Sequence, residues 1–188
     1  ALLYIDLDGF KSVNDSLGHD AGDQLIRMAA ERITRCVAHH GFTARLGGDE
    51  FAVIIPYSSG RADDYKMIGQ QILSELQAPF SIGNSEAFLG ASIGAARYPD
   101  DGDSHTELLR KADAAMYRAK DTGRGRLVDY SRTLGIVIAK RLRLEADLNR
   151  ALERDEMTLV FQPQVDLHTG VLNGCEALLR WNHATEGQ

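Results

Sequence analysis

The chain has 188 residues, 44% of them hydrophobic, and a formal net charge of −6 at pH 7. This length suits one ordinary domain plus part of another, and the acidic balance argues against a general nucleic-acid binder, which is usually basic. No stretch approaches the about 18 apolar residues of a membrane span, and the wide spacing of Cys36 and Cys175 fits no metal motif and favours a reducing, cytoplasmic compartment.

Strand-like and helical patterns alternate through the first 130 residues. In chain order, they predict a strand at 1–5, a helix at 20–37, strands at 43–45 and 51–56 around a Gly47-Gly48 turn, a helix at 62–76, strands at 80–82 and 87–96, a turn at 99–103, a helix at 106–120 that ends before Gly123, and a strand at 127–130. This order predicts an α/β or α+β fold in which helices cover a mainly antiparallel sheet.

The pattern changes after residue 130. A long charged helix is predicted at 136–155, where Leu144, Leu148 and Leu152 recur every four residues. Two strand-like segments follow at 158–165 and 171–181, joined by a His-Thr-Gly turn. We interpret the helix as a connector between two domains.

The acidic residues with the clearest chemical implication are Asp6, at the end of the first strand, and Asp49, on the Gly47-Gly48 turn. Glycine permits a hairpin turn this tight. If strand and hairpin are neighbours in one sheet, the two carboxylates meet at its edge, where they would bind Mg²⁺, a hard cation that prefers oxygen ligands and phosphate partners. The alternative is an acidic hairpin on the surface, because such a motif alone is only a hypothesis.

Other polar residues allow two interpretations each. The segment 9–11 (Gly-Phe-Lys) is either an ordinary exposed turn or a phosphate-binding turn with backbone N–H groups and a lysine. Asn14 and Asp23 lie near predicted helix ends, where one interpretation is that they cap the helices. The other is that they bind the edge of a guanine base, because an aspartate accepts well from guanine N1–H and N2–H₂. Lys120 and Arg124 flank a helix C-terminus. Either they only stabilise that end of the helix, where cations are favoured, or they contact a triphosphate.

Taken together, these segments are far more specific than any one of them. They are 4–11 (YIDLDGFK), 14–15 (ND), 17–20 (LGHD), 22–23 (GD), 45–51 (RLGGDEF), 92–94 (SIG), 112–120 (ADAAMYRAK) and 123–124 (GR). The set resembles the GGDEF family of diguanylate cyclases over residues 1–130. The resemblance implies a five-stranded, mostly antiparallel sheet wrapped by helices, similar to nucleotidyl cyclase and polymerase palm domains.

The resemblance also implies a role for each matching residue. Asp6, the Leu7 carbonyl and Asp49 match ligands of Mg²⁺ or Mn²⁺; Asp49 also matches the proton acceptor, and Glu50 supports the metal site. The residues that match substrate contacts are Asn14 and Asp23 for guanine with His19 near the same pocket, Phe10, Lys11, Lys120 and Arg124 for phosphate, and Gly47 and Gly48 of the turn.

The reaction implied by the resemblance joins two GTP molecules into cyclic di-GMP. Each domain holds one GTP, two domains meet face to face as a transient homodimer, and each 3′-hydroxyl attacks the α-phosphate of the other nucleotide. Metal ions suit this chemistry because they lower the pKa of the hydroxyl and neutralise the departing pyrophosphate.

The sequence departs from the family pattern in three places. The family usually has a helix and an Asp-Leu-Thr-Gly-Leu-type stretch before the first strand, and neither precedes Ala1. The sequence also begins without a signal-like segment. We therefore interpret the chain as an excerpt of a longer protein, in which any membrane anchor would lie outside these residues. The Arg-x-x-Asp product-inhibition site would begin at Ala38, where the sequence is Ala-His-His-Gly, so we expect that site to be absent. Gly125 follows Arg124 where the family often has Asn.

The end of the chain has a resemblance of its own. The segments 144–148 (LEADL), 151–153 (ALE), 161–165 (FQPQV) and 176–181 (EALLRW) resemble the opening of an EAL-domain phosphodiesterase. There Glu176 would match a metal ligand and Arg180 a phosphate contact. The family fold is a (β/α)₈-type barrel of about 250 residues, so this truncated start predicts no hydrolysis of cyclic di-GMP, and we expect residues after 155 to be poorly ordered alone or to pair with a neighbouring domain or chain.

We therefore predict a cyclase domain at 1–130, a linker helix at 131–155 and a truncated phosphodiesterase start at 156–188. Two functional hypotheses follow. The first is an active cyclase, in a protein that is bifunctional with the phosphodiesterase. The second is a non-catalytic module that binds GTP and regulates the attached phosphodiesterase. The intact Asp6 and the unaltered segment 47–51 favour the first.

Overall fold

The structure, a computed structural model, describes residues 1–56, 63–83 and 85–187, without the side chains of Ile138 and Leu142. Its elements are β1 (Leu2–Asp8), α1 (Phe10–Leu17), α2 (His19–Val37), β2 (Phe42–Gly47), β3 (Glu50–Ile54), α3 (Asp64–Gln77), β4 (Phe80–Ile82), β5 (Ser85–Ala87), β6 (Gly90–Ala96), α4 (His105–Asp121), β7 (Leu127–Asp129), α5 (Arg132–Leu148), β8 (Met157–Val165) and β9 (Leu172–Trp181). The chain forms two compact units, Ala1–Ile136 and Val137–Gln188, and the boundary between them falls within α5.

The first unit contains a five-stranded sheet with the order β2-β3-β1-β6-β7. Its neighbouring strands pair antiparallel, except for β6 and β7, which are parallel. Strand β1 lies at the centre, with β3 on one side and β6 on the other. The predicted sheet, five-stranded and mainly antiparallel, is confirmed.

The alternation of side chains along β1 separates the two faces of the sheet. Leu3, Ile5 and Leu7 are buried in the main hydrophobic core together with side chains of α2 and α3. Because successive strand residues point to opposite faces, Tyr4 and Asp6 lie on the other face, where Tyr4 packs against a smaller cluster that includes residues of α4. The acidic side chains of β1 therefore face α4.

Helix α4 crosses β6 at Gly94 with almost no space between the two backbones. An ideal Cβ at Gly94 would lie 1.9 Å from the Ala112 carbonyl oxygen and 2.2 Å from the Met116 nitrogen. Only glycine fits such an approach without displacing the helix. This crossing determines where the C-terminal end of α4 lies relative to β1.

Two regions before residue 100 differ from the prediction. Residues 10 and 11, expected to belong to a turn at 9–11, begin the helix α1, whose Phe10 and Val13 pack against the core one helical turn apart. The single strand expected at 87–96 is two strands, because Ala87 pairs with β4 whereas β6 pairs with β1. The predicted start of the next helix, Ala62, lies outside the described residues.

The linker helix also differs from its prediction. It begins at Arg132 and ends at Leu148, whereas the leucine spacing predicted a helix at 136–155. After Leu148 the backbone forms successive turns, in which the Ala151 N–H donates to the Leu148 carbonyl and the Glu156 N–H to the Ala151 carbonyl. The spacing of Leu152 therefore continues a helical pattern that the backbone does not follow.

The second unit contains a two-stranded antiparallel sheet, β8-β9, with no closed barrel among the described residues. His183 lies beyond the hairpin, and its Nε2 is 3.3 Å from an Asp147 carboxylate oxygen on α5. The indole N–H of Trp181 donates to Glu156 at 2.9 Å. Within the described parts of both units, no helix combines the length and hydrophobicity needed to cross a membrane.

Candidate active site

The predicted metal-binding carboxylates are brought together where β1 meets the β2–β3 turn. Asp6 lies directly opposite Glu50 in the register of β1 and β3. Gly48 occupies the turn with a φ of 50°, a left-handed conformation that suits glycine, and Asp49 follows it. The Leu7 N–H donates to the Asp49 carbonyl at 3.2 Å. This backbone contact fixes the turn against the end of β1.

The Asp6 carboxylate is buried but not isolated. Its residue is 7% exposed, and the Lys120 Nζ lies 2.6 Å from its Oδ2. Burial raises the pKa of Asp6, the nearby Lys120 ammonium lowers it in part, and the charges of Asp49 and Asp8 raise it further. Two neighbouring carboxylates and a lysine thus surround Asp6.

Glu50 lies beside a second pair of titratable groups. The Tyr4 hydroxyl hydrogen-bonds to Glu50, and burial together with this bond raises the pKa of Tyr4 to about 12. The pKa of Asp113, on α4, is raised by burial and then by the charge of Glu50. The side of Glu50 that faces α4 is therefore acidic, and Tyr4 supplies a hydrogen bond to it.

The residues predicted to read guanine lie on α1 and α2, which pack against each other. Asn14 Oδ1 is buried and has no hydrogen-bond partner among the described residues, an uncommon state for an amide oxygen. It stands next to Gly22, where an ideal Cβ would lie 1.7 Å from that oxygen and 3.3 Å from Phe10 Cζ. Asp23 and His19 are both exposed on α2.

The predicted phosphate-binding residues come from two separate parts of the unit. Phe10 and Lys11 begin α1 after Gly9, which has a φ of 85°. Lys120 lies in the last turn of α4, and Arg124 follows that helix with a φ of 57°. The structure joins Lys120 to the carboxylate group through Asp6, and Arg124 through an ion pair with Asp8 at 3.6 Å.

The donor set at the end of β1 fits a hard divalent cation. Among the described residues, no group of three or more His, Cys, Asp or Glu side chains forms a complete metal site. Mg²⁺ seldom needs one, because it is commonly bound by one or two carboxylates, waters and substrate phosphates. Asp6 and Asp49 supply two carboxylates, and the buried Asp6 already attracts one cation, the Lys120 ammonium.

Asp8 is the residue of this region whose role the sequence did not indicate. It lies two residues after Asp6 on the same face of β1, and its side chain is 9% exposed. The fully buried Ser92 donates its hydroxyl proton to Asp8. The signal in the sequence was the alternation Asp-Leu-Asp, which places both aspartates on one face of a strand.

The segment that replaces the product-inhibition motif lies between α2 and β2. Ala38 caps α2, and an ideal Cβ at Gly41 would lie 2.0 Å from the Ile54 carbonyl oxygen. No side chain fits at Gly41 without moving the backbone of β3.

In the second unit, Glu176 and Arg180 lie on the same face of β9, opposite Gln162 and Thr158 of β8.

Comparison with known proteins gives two family matches. Residues 1–126 match the family described as "Diguanylate cyclase, GGDEF domain", and residues 145–188 match the EAL domain. Over 187 residues, which are 100% of this chain and 27% of the relative, the chain is 42% identical to the bifunctional diguanylate cyclase/cyclic di-GMP phosphodiesterase MucR of Pseudomonas aeruginosa. It is 35% identical to the cyclic di-GMP phosphodiesterase NbdA of the same organism, again over 100% of this chain but 24% of the relative.

Solved structures agree with these matches. A crystal structure of an EAL/GGDEF domain protein from M. capsulatus is 42% identical, with a TM-score of 0.65, and the alignment covers 69% of this chain and 83% of that one. The chain spans about a quarter of the length of the curated relatives named above.

Proposed function

The chain belongs to the GGDEF family of diguanylate cyclases, and from this premise we propose that its first unit condenses two GTP molecules into cyclic di-GMP and two pyrophosphates. The observation that carries this proposal is the junction of β1 with the β2–β3 turn, where Asp6 pairs with the Lys120 ammonium and lies close enough to Asp49 to be affected by its charge. Phosphoryl transfer depends mainly on positioning and on charge stabilisation. Phosphoryl transfer therefore requires carboxylates that bind a metal ion and cationic side chains that bind the phosphates.

We assign the metal-binding role to Asp6, Asp49 and the Leu7 carbonyl. A bound Mg²⁺ or Mn²⁺ would acidify the attacking 3′-hydroxyl and stabilise charge on the α-phosphate. Asp49 would accept the proton of that hydroxyl, and Glu50, held by the Tyr4 hydroxyl, would keep the potential of the site negative.

We assign guanine recognition to Asn14 and Asp23, with His19 near the same pocket. The unpartnered Asn14 Oδ1 supports this assignment because a buried acceptor without a partner among the described residues would be satisfied by a guanine donor that reaches it. Gly22 leaves the space that this amide occupies. The exposed Asp23 carboxylate would accept from N1–H and N2–H₂, which adenine lacks at the corresponding positions.

We assign binding of the triphosphate to two groups of residues. Phe10 and Lys11, at the start of α1, would contact it from one side, and Lys120 and Arg124 from the other, with Gly47 and Gly48 allowing the nucleotide to approach the turn. Lysine and arginine are the usual partners of phosphate oxygens. Lys120 would exchange its ion pair with Asp6 for one with phosphate when a metal binds that carboxylate.

One GTP per domain cannot close the cyclic product, so two units would meet with their sites facing each other as a transient homodimer. Each Asp49 would serve the 3′-hydroxyl of its own nucleotide. We propose that a complete EAL domain, of which residues 145–188 with Glu176 and Arg180 would be the first part, hydrolyses the same product. We place both activities in the cytoplasm, the reducing compartment that the wide spacing of Cys36 and Cys175 favours.

The test is incubation of the purified chain with GTP and Mg²⁺, with nucleotides and pyrophosphate resolved by chromatography. We expect cyclic di-GMP, at a rate per molecule that rises with protein concentration because two units must meet. ATP should give no product. GTP binding without any product over a wide range of protein concentration would instead support the regulatory, non-catalytic module.

A further inference from the structure

Asp8 makes an unusually complete set of contacts for a residue outside the proposed catalytic groups. The Ser92 hydroxyl lies 3.0 Å from each of its two carboxylate oxygens, and Ser92 is fully buried on β6. The Gly125 N–H donates to Oδ2 at 3.4 Å, and the Arg124 Nε lies 3.6 Å from Oδ1. These contacts join the end of β1 to the loop that follows α4.

That loop has an unfavourable backbone. Gly123, Arg124 and Gly125 have φ values of 113°, 57° and 60°, so three successive residues lie in the left-handed region. Arg124 is not a glycine, and such a conformation persists only where surrounding contacts impose it. The contacts of this loop include the Arg124 N–H with the Ala119 carbonyl at 2.9 Å, the Arg126 Nε with the Arg124 carbonyl at 3.1 Å, the Ile93 N–H with the Arg126 carbonyl at 3.0 Å, and Asp8.

We infer that Asp8 is a positioning residue that holds Arg124 in place for the triphosphate of GTP, and that it is not a metal ligand. The inference rests on the proposed function, because it assigns Asp8 to the phosphate side of that same site. Asp6 and Asp8 lie two residues apart on one strand face, yet their surroundings give them different tasks. Asp6 faces Lys120 and Asp49, whereas Asp8 is occupied by a buried hydroxyl, a backbone N–H and a guanidinium.

The geometry shows how such positioning would assist binding. The Arg124 side chain is 65% exposed, and a long exposed side chain loses conformational entropy when a ligand immobilises it. The ion pair with Asp8 involves Nε, and within the described part of the chain no hydrogen bond or further ion pair involves the two terminal nitrogens. Those nitrogens can form the bidentate contact that arginine makes with phosphate oxygens.

The test measures binding of 3′-deoxy-GTP with Mg²⁺ by calorimetry, because this analogue lacks the attacking hydroxyl and binds without turnover. Four chains form a double-mutant cycle: the unaltered chain, Asp8→Ala, Arg124→Ala and the double variant. We expect Asp8→Ala to raise the Kd about tenfold, and to change it less than about twofold when Arg124 is already absent, because residues that act through each other are not additive. Asp8→Asn, which keeps an acceptor for Ser92 but loses the charge, should fall between. Asp103→Ala, an exposed aspartate in a distant loop, is the matched control.

A second readout separates positioning from metal binding. Mn²⁺ binding to the chain alone, followed by electron paramagnetic resonance, should weaken less than about threefold in Asp8→Ala, which removes one nearby negative charge, and should be lost in Asp6→Ala. If Asp8→Ala does not fold, Ser92→Ala removes the buried donor that orients the carboxylate and should raise the Kd for the analogue about threefold, again only when Arg124 is present.

Additive effects of Asp8 and Arg124, an unchanged Kd in Asp8→Ala, or loss of Mn²⁺ binding in that variant would overturn the inference. The proposed function fails by a different result: the unaltered chain binds 3′-deoxy-GTP but forms no cyclic di-GMP from GTP. If the unaltered chain does not bind the analogue at all, both are wrong.

Discussion

The Lys120 ammonium lies 2.6 Å from the Asp6 carboxylate, so two residues to which we assign different tasks, phosphate binding and metal binding, are each other's partner. Burial raises the pKa of Asp6, and Lys120 opposes that rise by stabilising the ionised form. A divalent cation at Asp6 therefore meets a positive charge. Binding of metal and of nucleotide should be coupled, because the nucleotide phosphates give the ammonium another partner.

This pair gives the first prediction. Lys120→Ala should strengthen Mn²⁺ binding to the chain alone, by roughly tenfold, because a competing cation next to Asp6 is removed. The same variant should bind GTP more weakly. Lys11→Ala is the matched control, since Lys11 begins α1 and makes no ion pair among the described residues; it should leave Mn²⁺ binding unchanged. Mn²⁺ titrations at pH 8 provide the measurement, and weaker Mn²⁺ binding in Lys120→Ala would contradict the coupling.

The second prediction concerns Asp49. Asp49→Ala should abolish synthesis of cyclic di-GMP while GTP binding is only weakened, because the guanine contacts lie on α1 and α2. Turnover by chromatography and binding by calorimetry separate the two effects. Asp103→Ala, which changes an exposed aspartate far from the turn, should keep normal turnover. Normal turnover in Asp49→Ala itself would show that the metal assignment is wrong.

The third prediction concerns the choice between GTP and ATP. A carboxylate at Asp23 accepts from the guanine edge but faces an acceptor, N1, in adenine. Asp23→Ala should weaken GTP binding and lower the ratio of GTP affinity to ATP affinity by about tenfold. Competition binding with both nucleotides measures this, and Asp20→Ala on the same helix serves as the control. An unchanged preference would leave Asp23 as an exposed residue of α2 with no part in the choice of nucleotide.

The fourth prediction concerns product inhibition. Ala38 and Gly41 stand where the family's secondary site has Arg and Asp, so added cyclic di-GMP should not inhibit non-competitively. Titration of product into a turnover assay measures this. The double variant Ala38→Arg/Gly41→Asp should destabilise the fold rather than install the site, because a Cβ at Gly41 would collide with the Ile54 carbonyl. Ala38→Arg alone is the control. Potent non-competitive inhibition of the unaltered chain would contradict the prediction.

The fifth prediction concerns the second unit. The chain should not hydrolyse cyclic di-GMP, because the active site of a barrel is built from the ends of several strands, and Glu176 lies on a two-stranded sheet. Phe161, 62% exposed, and Leu159, 58% exposed, lie on β8, where no layer formed by the described residues covers them, and a lone hairpin is marginal in water. Hydrogen exchange should therefore be fast in β8 and β9. Strong protection throughout 159–181 in a monomer, or any loss of cyclic di-GMP with Mg²⁺, would contradict this.

Much of the first unit could be predicted from local sequence. The alternation along β1, the glycines of the β2–β3 turn and the apolar stripe of α2 each express a period or a backbone requirement that acts over a few residues. For the same reason the prediction was wrong where local patterns were ambiguous. The short helix α1 follows a turn-like glycine, and the leucine spacing continued past the end of α5.

The sequence by itself indicated that Asp6 belongs to a buried strand and that Asp49 follows a glycine turn, although the strand continues past Asp6 to Asp8. Only the tertiary structure decided that Lys120 meets Asp6, and that Asp8 binds a hydroxyl and a backbone N–H that are 84 and 117 residues away in the chain. These contacts depend on where α4 crosses the sheet, and that crossing depends on the absence of a side chain at Gly94. Charge pairing over such separations leaves no periodic signal in the sequence, because it arises from packing of distant elements and not from local backbone preference.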